Sequence, residues 1–170
     1  MKMLLTLIVL GGLSALVTGR PLDLDSCTIN VHTQELRRHL SIVRSDAVMG
    51  DGEIGVKLLD SSLARSTQDG QKCCLIHLVL RFYIERVFNN YAAPQAESQR
   101  RCSSLANAFL TIRKDILKCQ CNCTEGTQRS VDSLHAAFNR MEIRRAAQKA
   151  VGELGTVLEW LERLGSRSLE

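Results

Sequence analysis

Residues 73–91 read CCLIHLVLRFYIERVFNNY. The apolar positions Leu75, Ile76, Leu78, Val79, Leu80, Phe82, Tyr83, Ile84, Val87 and Phe88 lie around most of a helix. The polar residues His77, Arg81, Glu85 and Asn89 fall four apart, with Arg86 and Asn90 beside them, and make one narrow stripe. A helix that is apolar on most sides has to be enclosed by other elements. The stretch therefore predicts the buried middle helix of a bundle, its stripe toward water and two cysteines tethering its entrance.

Outward from this helix, the chain reads as further amphipathic helices. Leu36, Leu40, Val43 and Ala47 recur at helical steps and predict a helix of about four turns. Residues 20–25 read as an irregular lead-in, and no β-rich run is expected. Gly50, Gly52 and Gly55 fit G-x-G-x-x-G, but no strand precedes them and Asp51 and Glu53 would repel a pyrophosphate, so residues 49–55 read as a loop. Residues 54–63 read as a short helical or extended piece, and 66–71 and 92–100 as polar connections. A helix is expected over 103–118, with Leu105, Ala108, Phe109, Ile112 and Ile116 on one face. Thr127 or Ser130 then caps a helix striped by Val131, Leu134, Phe138 and Met141. One long helix over 143–164 closes the chain, with Gly152 and Gly155 marking approach to a neighbour and Trp160 at the stripe's margin. The expected architecture is all-α: a compact helical bundle cross-linked by disulfides.

At 170 residues, 45% of them hydrophobic and only 2 of them proline, the chain suits one helical domain with a substantial core. A net charge of +4 with 4% aromatics argues against nucleic acid as a partner. Residues 1–19, MKMLLTLIVLGGLSALVTG, read as a secretory signal peptide, with Lys2 before an apolar run and Val17 and Gly19 small enough for cleavage. That leaves residues 20–170 as an extracellular helical domain. No second apolar span follows, so no membrane insertion of the mature chain is expected.

The 7 cysteines then belong in an oxidising compartment, and at least one is unpaired within a monomer. Cys102 lies on the apolar side of its helix and reads as a buried thiol, with intermolecular pairing as the rival. Adjacent Cys73 and Cys74 cannot readily bond to each other. Three bridges from Cys27, Cys73 and Cys74 to Cys119, Cys121 and Cys123 are the economical arrangement, each closing a loop worth about 3–4.5 kcal/mol in the chain-entropy model. A zinc site built on the triplet and His77 lacks paired C-x-x-C knuckles.

The segments CCLIHLVLRFYIERVFNNY, SSLANAFLTIRKD (103–115), CQCNC (119–123) and VGELGTVLEWLE (151–162), with SCTINVHTQEL (26–36) more loosely, resemble the interleukin-10 cytokine family in its interleukin-19/20/24 branch. They stand in the family's order over most of the chain. The resemblance implies a helical cytokine bundle without catalysis, and the pairing Cys27–Cys119, Cys73–Cys121 and Cys74–Cys123. Two departures matter. Only Gln120 separates Cys119 from Cys121, where the branch has a longer spacer, so a shuffled pairing stays open. Cys102 replaces an aliphatic residue.

The resemblance also implies a function in surfaces: a monomer bridging a heterodimer of class II cytokine receptor ectodomains and activating JAK-STAT signalling. One receptor chain would meet the first helix, the loop after it and the last helix. Here those surfaces offer Glu35, Arg38 and His39, then residues 51–57 with Glu53 and Lys57, then Glu159, Trp160 and Arg163, with Trp160 as an aromatic anchor. No G-x-S-x-G, H-E-x-x-H or Walker sequence occurs, the four histidines lie on different segments, and no cofactor or metal is called for. Asn122-Cys123-Thr124 is an N-glycosylation sequon. Glu153 and Glu159 read as a solvated face, and Arg140, Arg144, Arg145 and Lys149 as a solvated basic cluster able to attract glycosaminoglycan. The rival function is a secreted helical carrier of a lipid or small apolar ligand, which a large internal cavity would support.

Overall fold

The computed structural model describes residues 19–52 and 55–165. The leader expected over residues 1–19 falls outside them except for Gly19, and Glu53 falls outside them too. The described chain begins with a hairpin, β1 (Arg20–Leu24) and β2 (Cys27–Val31), and continues as seven helices. These are α1 (Thr33–Met49), α2 (Ser61–Arg65), α3 (Lys72–Phe82), α4 (Ala96–Leu117), α5 (Glu125–Asn139), α6 (Ile143–Gly152) and α7 (Leu154–Gly165). The fold is a helical bundle with one antiparallel strap.

The hairpin corrects the irregular lead-in. Leu22 and Leu24 alternate with polar residues, as do Cys27, Ile29 and Val31, and all five point into the core. That is the period of a half-buried strand. Leu22 pairs with Ile29 and Leu24 with Cys27, and the strap lies against α4 and α7. Asp25 turns the chain with φ of 62°, a conformation Asp tolerates better than most residues.

The middle helix is enclosed as expected. Leu75, Ile76, Leu78, Val79, Leu80, Phe82, Tyr83 and Val87 are buried. After Phe82 the helix widens into a π turn, Tyr83–Val87, where the Phe88 N–H donates to the Tyr83 carbonyl at 2.9 Å. All four phenylalanines meet here with Tyr83: Phe138, Phe82, Tyr83, Phe109 and Phe88 form a chain of mostly edge-to-face rings, centroids 5.2–6.0 Å apart. The polar stripe holds at Arg81, Glu85 and Asn89. His77 is only half-exposed, and Arg86 lies over the Phe138 ring at 5.1 Å.

Three further boundaries differ from expectation. α4 begins at Ala96, well before residue 103, because Ser98 is buried against α1, where its hydroxyl donates to the Asp46 carboxylate. Thr124, not Thr127 or Ser130, caps α5, its Oγ1 accepting from the Thr127 N–H. The long last helix breaks at Gly152 and Glu153 into α6 and α7.

Candidate functional site

At one end of the bundle, disulfides join Cys27–Cys119, Cys73–Cys121 and Cys74–Cys123, with Cα separations of 5.6, 5.5 and 5.2 Å. The short spacer is accommodated because Gln120 adopts φ of 52°, reversing the chain between two sulfurs with different partners. The hairpin and the first turn of α3 are thus fastened to the end of α4. Asp25 adds a polar tie, its Oδ2 accepting from the Cys73 N–H at 3.1 Å. Cys102 is a free thiol, partly buried, and burial pushes it up to about 11.

The loop after α1 is held by the segment where α6 gives way to α7. Lys149 is 5% exposed and pairs with Asp51 at 2.8 Å. Glu153 accepts from the Leu58 N–H at 3.0 and 3.1 Å and from the Leu59 N–H at 3.3 Å. Desolvation by burial raises the Glu153 carboxyl above its ordinary range, and the backbone donors oppose that. Neither residue belongs to the solvated face expected for it, because the loop packs over both. Gln148 Nε2 also donates to the Ala47 carbonyl, and the buried Tyr83 hydroxyl donates to Ala150 at 2.7 Å.

Glu35, Arg38, Lys57, Glu159 and Arg163 are exposed, as a contact surface requires. They do not form one patch. Glu35 and His39 sit on the flank of α1 that faces α4, lining with Asn107 and Thr111 a groove of about 440 Å³. Arg101 Nη1 lies 3.3 Å from His39 Nδ1, and His39 Nε2 lies 3.7 Å from the Glu35 carboxylate. Glu159 sits across the other flank, lining with Arg37, Arg44, Gly155 and Thr156 a groove of about 330 Å³ between α1 and α7, and it pairs with Arg163. Trp160 is 2% exposed: it is core, not an anchor, on a helix that packs against α1 and β1.

No protein-family model matches the chain. Curated relatives do. It is 32% identical to interleukin-20 of Mus musculus over 154 residues, covering 87% of this chain and 88% of that protein. It is 31% identical to interleukin-19 of Mus musculus over 145 residues, 83% and 82% of the two. The crystal structure of human interleukin-19 superposes with a TM-score of 0.72 at 26% identity, over 78% of this chain and 88% of that one. The chain belongs to the interleukin-10 family of cytokines.

The relatives of this cytokine, of the interleukin-19/20/24 branch, point to no enzyme family. Among the described residues no group of three or more histidine, cysteine or acidic side chains is placed to hold a metal, and no helix is long and apolar enough to cross a membrane. Sequence reasoning missed Arg37 and Arg44, which flank the α1–α7 groove, and Glu162, whose Oε1 accepts from Arg37 Nε at 3.0 Å. Arg37 and Arg44 are seven residues apart, two helical turns, so their shared face was a readable signal. It also missed the α4 wall of the other groove, Ser104, Asn107 and Thr111.

Proposed function

We propose that the chain is exported and acts as a monomeric cytokine that bridges two different class II cytokine receptor ectodomains, bringing their associated kinases together to start JAK-STAT signalling. The observation that carries the reading is the two-sidedness of α1: one flank meets α4 through Glu35 and His39, and the other meets α7 through Arg37 and Arg44. A single rigid helix thereby offers two separate surfaces, polar on the α7 side and mixed apolar and polar on the α4 side. Residues Glu35, Arg38 and His39, loop residue Lys57, and Glu159 and Arg163 are the proposed contacts. The mechanism is binding energy alone, with the disulfides holding the surfaces in fixed relation. Cells carrying the matching receptor pair, given the purified chain, should show STAT phosphorylation that disappears when either receptor chain is absent. No response in cells carrying both would overturn the reading.

A further inference from the structure

The sequon Asn122-Cys123-Thr124 lies in the most tightly tied segment of the molecule, and Asn122 is nonetheless exposed. Cys121 and Cys123 on either side of Asn122 are bonded to the first turn of α3. Gln71, 6% exposed, seals the backbone: its Nε2 donates to the Asn122 carbonyl at 3.0 Å and its Oε1 accepts from the Thr124 N–H at 2.9 Å. The Thr124 hydroxyl caps α5 through the Thr127 N–H and lies 3.2 Å from the Thr127 hydroxyl.

We propose that Asn122 is an N-glycan acceptor only while this segment is open, so that oxidative folding and glycosylation compete for it. The proposal rests on the export reading. In the transfer, the Asn122 amide nitrogen displaces pyrophosphate from the anomeric carbon of a lipid-pyrophosphate-linked oligosaccharide. A nitrogen–carbon bond forms, the carbon–oxygen bond breaks, an amide proton passes to a base of the transferase, and the lipid pyrophosphate leaves. The transferase must draw an unconstrained peptide into its cleft and meet the sequon hydroxyl. Once Cys74–Cys123 and Gln71 close, the backbone is held on both sides of Cys123, and the Thr124 hydroxyl, though exposed, is engaged at the start of α5. Residues 123–170 emerge within seconds of Asn122 at ~5–20 residues per second. Disulfide formation takes seconds or longer. The two processes therefore overlap, and the exported chain carries the glycan on only part of its molecules.

The test is expression of the full chain in secretory cells, with glycan occupancy read as the gel shift removed by an amidase that cleaves N-glycans. Wild type should give two bands, and Thr124→Ala only the lower. Cys74→Ser, which keeps the sequon and removes its lock, should move the population to the upper band. Gln71→Ala, which keeps every disulfide, and a pulse of mild reductant on the wild type should move it the same way. Arg65→Asn creates an Asn-Ser-Thr, exposed at its first two positions and tied by no disulfide, as an internal control. If the control is modified and Asn122 is not in any variant, the proposal is overturned while export stands. Equal occupancy across wild type, Cys74→Ser, Gln71→Ala and reductant overturns the competition. If the chain is absent from the medium in every variant, the export reading fails and takes the proposal with it.

Discussion

Asp25 turns the hairpin and also presents its carboxylate to the Cys73 N–H at the start of α3. One side chain thus serves a strand turn and a helix terminus. Asp25→Ala should cost about 0.5–2 kcal/mol, read as a lower denaturant midpoint, whereas Asp25→Asn, which keeps an acceptor and tolerates the same backbone, should cost less. Glu153 is the corresponding tie for the loop after α1. Glu153→Ala should raise amide exchange at Leu58 and Leu59 above that of the bundle core and cost about 1–3 kcal/mol. His77 gives a pH signature. Burial first, then the Arg113 and Arg81 charges, lower its pKa from 6.5, with Glu85 opposing, and its Nδ1 is buried without a partner. His135, edge-on to Phe82, is lowered too, by burial and then Arg86. The unfolded chain then binds more protons just below pH 6.5 than the folded one does. Stability should be full above that pH and fall as pH drops toward the folded-state values. His77→Gln should flatten the fall in denaturant melts.

At the scale of elements, the three disulfides are not three equal staples. Cys27–Cys119 spans 92 residues and is worth about 4–5 kcal/mol in the chain-entropy model. Cys73–Cys121 and Cys74–Cys123 span 48 and 49 residues and run side by side. Once one is closed, the other closes only a very short loop. Removing either alone should therefore cost about 2 kcal/mol, and removing both about 6, a non-additivity that a double-mutant cycle in denaturant would measure. The helices were legible because each buries a stripe whose period lies within the segment, as Leu36, Leu40, Val43 and Ala47 do. The hairpin was equally legible, since Leu22, Leu24, Cys27, Ile29 and Val31 alternate across an Asp-Ser turn. The first turns of α4 were not. Their sequence, AESQRR, is polar, and what buries Ser98 is Asp46, 52 residues away. Nor was the break between α6 and α7, which places Glu153 under Leu58.

For the whole molecule, the bundle serves as a rigid spacer between two faces of α1. If each face takes its own receptor chain, reversals on the two flanks should be separable. Arg44→Glu, at the α7 side, and Glu35→Arg, at the α4 side, should each weaken signalling about tenfold, for a loss of ~1.4 kcal/mol, while leaving the thermal midpoint nearly unchanged. Surface binding to isolated receptor ectodomains would show each variant losing a different one. Loss of the same partner by both would place the two contacts on one surface.

The helical class, the enclosed middle helix and the grouping of the cysteines were set by the sequence itself, because apolar period and sulfur position are local properties. The tertiary structure alone decided which polar side chains meet water. Lys149 looks like part of a basic cluster until Asp51, 98 residues away, is laid against it. Glu153 looks solvated until the loop crosses it, and Trp160 looks marginal until β1 packs over α7. Burial depends on what covers a residue, and the covering element comes from a distant part of the chain.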